Sequence, residues 1–143
     1  MKYLIDTHVF IWSLLEPKKI TKKVFDILED TENEVFISPI SFWEMAIKHQ
    51  ANKLDLKGIN PLHLPHIAEQ YDFTVLNPEP YDYVSIGTVP LKENHRDPFD
   101  RMLIQQAIRN NLVLLSADEK FQQYEENGLQ LILNQRKSIN ETS

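Results

Sequence analysis

Short apolar runs recur along the chain: YLID at 3–6, EVFIS at 34–38, FTVL at 73–76, LVLLS at 112–116 and LQLIL at 129–133. Each has the length of a strand, and LVLLS has no polar alternation, as expected when both faces of a strand are covered. Helical spacing fills the intervals. THVFIWSLL follows the first strand at once, and Thr21 can cap a second helix, KKVFDILED, with Val24, Phe25, Ile27 and Leu28 on one face. Pro39 at a first-turn position opens a helix with Ile40, Trp43 and Ile47 at helical spacing. Residues 61–71 and the segment PEPYDYVSIG predict two more helices. HRDPFDRMLIQQA, residues 95–107, opens another, with Phe99, Leu103, Ala107 and Ile108 inward. ADEKFQQYEEN predicts a last helix, which Gly128 ends. Strands alternating with helices predict an α/β protein with a parallel sheet covered on both sides, its strand order left open.

At 143 residues the chain predicts one domain, residues 1–135, followed by a polar, frayed tail, RKSINETS, at 136–143. A hydrophobic fraction of 42% and a charged fraction of 25% are those of an ordinary soluble globular protein. The chain has no cysteine, which excludes a disulfide framework and a thiolate metal site. The opening MKYLID does not read as a signal peptide, and no apolar run suggests a membrane span, so the expected location is cytoplasmic. With 15 basic and 21 acidic residues the net charge is −6, which argues mildly against nucleic-acid binding. That argument weakens if several acids together hold a divalent cation, which then becomes the largest local charge. The basic cluster Lys18, Lys19, Lys22, Lys23 reads as the solvated face of a helix or, more sharply, as a surface for a phosphate backbone.

In open parallel sheets ligands bind beyond the carboxyl ends of the strands, so the acids divide by that criterion. Asp6 ends the first strand, Glu44 lies one turn into the helix after the second, and Asp118 follows the LVLLS strand by two residues. Asp97 and Asp100 begin the helix that precedes that strand. Each also has a capping explanation. Asp6 can cap the helix at Thr7, and Asp97 can cap with Pro98 at the first helical position. Ser41-Phe-Trp-Glu44 and Ser116-Ala-Asp-Glu119 both match the capping-box pattern. Capping leaves a surplus, Asp100 and Asp118. Like charges gathered in one cleft repel unless a cation neutralises them, and oxygen donors without cysteine or clustered histidine select Mg2+ or Mn2+ over zinc.

Four segments in order resemble a PIN-domain nuclease, more closely the VapC-type toxins of bacterial toxin–antitoxin pairs. YLIDTHVFIW is similar to the opening strand with the family's first Asp, here Asp6, and ISPISFWEMAIK to the segment supplying a Glu, here Glu44. HRDPFDRMLIQQA resembles a segment of one VapC-like subgroup, and LVLLSADEKF the strand and turn carrying the last acid, here Asp118. The resemblance assigns the third acid to Asp100, since Leu103, Ile104 and Ala107 follow it at the family's spacing. Asp97 is then either a helix cap or an auxiliary ligand. The resemblance implies an α/β/α sandwich with a parallel sheet of four to five strands. It also implies Mg2+- or Mn2+-dependent RNA endonuclease activity, a cognate antitoxin and a homodimer.

On that reading Asp6, Glu44, Asp100 and Asp118 are the catalytic and metal-ligating set. Asp6 and Asp100 are expected as direct ligands, with Glu44 and Asp118 acting through water. Ser116, Thr7, Arg96 and Arg101 are candidate substrate contacts, although plain surface solvation is the more ordinary fate of the two arginines. His8 and His95 are expected to be structural. Two rivals stand beside it. A haloacid-dehalogenase-like or receiver-like phosphoryl-handling domain also begins with a strand-terminal Asp, but the former carries a second Asp where this chain has His8. The other is a module that keeps the fold for binding without catalysis.

Overall fold

The computed structural model describes residues 1–136. The tail expectation at 136–143 falls outside the described residues except at Arg136, whose guanidinium donates to the Lys18 carbonyl at 2.6 Å.

Five parallel strands form one sheet in the order β3-β2-β1-β4-β5: β1 Lys2–Ile5, β2 Glu34–Ile37, β3 Thr74–Val75, β4 Val113–Ser116 and β5 Gln130–Leu133. The helices are α1 Thr7–Leu15, α2 Lys22–Glu29, α3 Pro39–Gln50, α4 Leu64–Gln70, α5 Pro80–Val84 and α6 Pro98–Arg109. Period-two alternation along β1 and β4 separates two apolar cores. Tyr3, Ile5, Val113 and Leu115 pack with Val9, Phe10, Val24 and Met45 on one face. Leu4 and Leu114 pack with Leu103, Ile104, Ala107, Phe121 and Tyr124 on the other. The expected α/β/α sandwich is thus observed, with five strands. Among the described residues no helix is long and apolar enough to cross a membrane.

The strand order fixes where chemistry can sit. Chain direction in the sheet reverses its progression between β1 and β4, the switch point where a crevice opens at the carboxyl edge. Asp6 extends the β1–β4 ladder by one bond, from its N–H to the Leu115 carbonyl at 2.9 Å, and so stands at that edge. Helix α6 runs back against the strands to feed β4, which carries its N-terminus, and Asp97 and Asp100, to the same edge.

Several local expectations are corrected. Phe25, Trp43 and Ile47 are exposed, by 50%, 58% and 40%. The buried side of α3 is Ile40, Ser41, Glu44 and Met45, so two polar residues occupy the stripe that hydrophobic periodicity assigns to apolar ones. Ser38, not Ser41, caps α3, its hydroxyl accepting from the Ile40 N–H at 3.1 Å. Residues 61–71 and 78–87 are each part α-helix and part 3-10 helix. Residues Glu119–Asn127 form a 3-10 helix rather than an α-helix. At three residues per turn, Phe121 and Tyr124 stack on one side and both enter the core. Gly128 ends it at φ +99°, a left-handed conformation glycine adopts without penalty.

Leu103 is fully buried between α6 and the sheet. Leu103→Ala should lower unfolding free energy by about 2–5 kcal/mol, read from the midpoint and slope of a urea denaturation curve.

Candidate metal centre

Asp6, Glu44, Asp97, Asp100 and Asp118 line a single cleft of about 290 Å³ at the carboxyl edge of the sheet. They arrive from four segments, Asp97 and Asp100 sharing the start of α6. Asp6 ends β1 and caps α1, its Oδ1 accepting from the Thr7 N–H at 2.7 Å. Glu44 stands in the second turn of α3 and is 2% exposed. Asp97 caps α6 with Pro98 behind it, Oδ1 accepting from the N–H groups of Phe99 at 2.8 Å and Asp100 at 3.3 Å. Asp118 caps the 3-10 helix, accepting from the Lys120 N–H at 2.9 Å. Three of the five acids are therefore caps and cleft residues at once. The two that cap nothing, Glu44 and Asp100, are held by other side chains. Glu44 Oε2 accepts from Lys48 Nζ at 2.5 Å, and Asp100 Oδ2 lies 2.9 Å from His95 Nε2. Neither sequence-matched capping box forms, because Ser41 lies inside α3 and Ser116 inside β4.

The electrostatics are those of buried and half-buried anions crowded together. Burial, with the nearby charges of Asp100 and Glu44, pushes the Asp6 carboxyl up to about 7, against the opposing hydrogen bonds from Ser116 and Thr7. Asp100 is raised as well, first by burial and then by Asp97 and Glu44, while the bond from His95 pulls the other way. Burial alone would lower the Lys48 ammonium, yet Glu44, Asp97 and Asp100 more than offset it and hold the amine above its ordinary value. Glu44 Oε1 is buried with no hydrogen-bond partner among the described residues. A buried carboxylate oxygen without a donor is costly, and a divalent cation is a partner that would satisfy it. The residues present fit such an ion. Side-chain donor atoms of His95, Asp100 and Asp118 lie within 4.8 Å of one another, and all five acids of the cleft offer hard carboxylate oxygens. Asp6, expected as a direct ligand, lies outside that tightest group, and each of its oxygens already accepts a hydrogen bond.

The expected substrate contacts divide. Arg96 is exposed on the cleft wall. Arg101 is corrected on both of its readings: it is 7% exposed and donates to the carbonyls of Pro90 at 2.8 Å, Val89 at 2.8 Å and Ile86 at 3.2 Å. Its guanidinium braces the 86–90 turn and is not free for a phosphate. Ser116 is fully buried, donating to Asp6 Oδ2 at 2.7 Å and accepting from the Asp118 N–H at 3.1 Å, so it ties two acids together. Thr7 is 2% exposed and donates to Ser41 Oγ at 2.8 Å. Both hydroxyls are buried and already donate to other side chains. Sequence reasoning missed Lys48 and the direct contact of His95 with Asp100. The i,i+4 spacing from Glu44 was a legible signal for the former. Lys120, exposed at the mouth, was also passed over.

The chain matches the model of the PIN domain family over residues 3–127. A search of curated proteins found no match. In fold it is similar to VapBC2 from Rickettsia felis, solved bound to a promoter DNA fragment, at 17% identity over 93% of this chain and 98% of that chain, TM-score 0.69. VapBC-1 from nontypeable Haemophilus influenzae matches at 21% identity over 93% and 98%, TM-score 0.63. VapBC-5 from Mycobacterium tuberculosis matches at 15% over 92% and 98%, TM-score 0.58.

The raised Asp6 carboxyl predicts a pH-dependent stability in chelator. The folded state binds this proton more tightly than the unfolded state, so the contribution is complete below about pH 4 and is lost as pH rises through about 7. Melts in EDTA between pH 4 and 8 should show a loss of up to about 4 kcal/mol from this group. Asp6→Asn, which keeps an oxygen for the Thr7 N–H, should flatten that slope.

Proposed function

This chain belongs to the PIN domain family, and on that premise we propose that it is a cytoplasmic, divalent-metal-dependent endoribonuclease, the toxin of a VapBC-type toxin–antitoxin pair. One observation carries the reading: acids from four separate segments share one cleft, and the buried Oε1 of Glu44 has no partner among the described residues. A module that kept the fold for binding alone would have no use for that unpartnered buried oxygen. The proposed substrate is RNA, the proposed ion Mg2+ or Mn2+, and the proposed partners are a cognate antitoxin and a second copy of the chain. Fold similarity to VapBC structures supports the pairing. Residues 1–135 are the proposed nuclease unit.

When bound, a divalent ion supplies Lewis-acid stabilisation of the scissile phosphate and lowers the pKa of its water. Asp100 and Asp118 are the proposed direct holders, with Asp6 behind them and Asp97 at the side. Glu44, fixed through Oε2 by Lys48, offers Oε1 to orient the attacking water and take its proton. Ser116 holds Asp6 in one rotamer and draws the Asp118 backbone toward it. Arg96 and Lys120, at the mouth, are the proposed phosphate contacts, an assignment a chain of net charge −6 makes local in character.

The test is cleavage of labelled single-stranded RNA in Mg2+ or Mn2+ with and without EDTA. Wild type should cut only with metal, while Asp100→Asn and Asp118→Asn should lose at least about 100-fold in rate with melting transitions intact. Metal-independent cutting, or wild-type rates in both variants, would refute the assignment. Arg96→Ala should raise KM and weaken the dependence of binding on salt, whereas Arg101→Met should act on stability, seen as a lowered melting temperature.

A further inference from the structure

His95 belongs to the segment that precedes α6 and was expected to be structural. Its ring is 4% exposed and clamped on two sides, 5.0 Å from the Phe121 ring at 88° and 5.4 Å from the Tyr124 ring at 61°. The Tyr124 hydroxyl donates to the His95 carbonyl at 3.1 Å, and the His95 N–H donates to the Lys92 carbonyl at 3.1 Å. Backbone and ring are therefore both fixed. Nδ1 is buried and has no partner among the described residues, while Nε2 lies 2.9 Å from Asp100 Oδ2. Two facing acceptors at that distance would repel, so Nε2 carries a proton and donates it to the carboxylate. A purely structural ring at this depth would not leave one nitrogen orphaned, since an apolar side chain of similar size fills the same space without that penalty.

We infer that His95 is a positioning residue: it holds Oδ2 of Asp100 so that Oδ1 is presented to the divalent ion in one orientation beside Asp118. The inference rests on the reading of the cleft as a metal centre. The clamp explains how one element sets two acids. The 3-10 helix that begins at Asp118 carries Phe121 and Tyr124, and these two rings aim the imidazole that aims Asp100. Any displacement of that helix moves both carboxylates together. Outer partners of this kind commonly change metal affinity by about 10- to 100-fold when removed.

The experiment is calorimetric titration of Mn2+ into chelator-stripped full-length protein, with each variant first checked for a cooperative melt. His95→Leu should bind Mn2+ about 10- to 100-fold more weakly than wild type. His95→Gln, whose amide N–H reaches the same carboxylate oxygen, should recover most of that loss. His95→Asn, too short to donate there, takes the place of His95→Leu if the latter does not fold. Wild-type affinity in the Leu and Asn variants, or equal losses in Gln and Leu, overturns the positioning role. Nitrogen coupling to bound Mn2+ in pulsed electron paramagnetic resonance also overturns it, because the ring would then be a ligand. A wild type that binds no divalent ion overturns instead the metal-centre reading on which the inference rests.

Discussion

The structure is organised around a repulsion. Asp6, Glu44, Asp97, Asp100 and Asp118 are delivered to one cleft, and burial there makes the negative charges of Asp6 and Asp100 costlier than in water. Asp6 records the strain most directly, its carboxyl held at about 7 by burial and by the neighbouring acids. The fold offsets part of that cost with local donors: the Thr7 N–H and Ser116 hydroxyl on Asp6, Lys48 on Glu44, His95 on Asp100, and helix N–H groups on Asp97 and Asp118. The compensation is incomplete at Glu44 Oε1, and a divalent cation is the species whose charge and ligand preference suit what is left.

Support for the cleft extends well beyond the acids. Ser116 ends a fully buried strand and links Asp6 to the Asp118 backbone, so two strand ends are tied at the switch point. Arg101 lies next to Asp100 in sequence but turns away, fastening three carbonyls of the 86–90 turn. Tyr124 anchors the His95 backbone from the opposite element. These groups contribute rigidity, which a site built from converging loops and helix ends requires if its carboxylates are to keep their separation.

Membership of the PIN domain family and the VapBC-like fold place the cleft in a known architecture, while the chemistry proposed for it rests on the cleft itself. A net charge of −6 sits uneasily with an RNA substrate only when charge is averaged over the surface. Near the cleft the balance differs, since Lys48, Arg96 and Lys120 border the acids. Attraction for a phosphate there depends on those few cations and on the ion proposed between the carboxylates.

How much was legible follows from the range of the forces involved. Strand positions, the places where helical segments occur, the cap at Thr21, the Asp97-Pro98 start of α6 and the stop at Gly128 are local, set by side-chain spacing and by backbone preferences of a few neighbours, and these were readable. The inward faces of α2 and α3 were not. Glu44 is buried beside Lys48 and Ser41 beside Thr7, while Trp43 is exposed and meets the Phe99 ring edge-on, an arrangement no hydrophobic period contains. Likewise Ser116 and Thr7 carry hydroxyls suited to ligands, yet only the packed fold shows those hydroxyls consumed by partners 110 and 34 residues away. The sequence by itself determined which residues are acidic, where strands end and where helices begin. The tertiary structure alone decided which of them meet, because a parallel sheet ordered β3-β2-β1-β4-β5 brings distant strand ends to one edge, and charge, donor and aromatic clamp act only across that short distance in space.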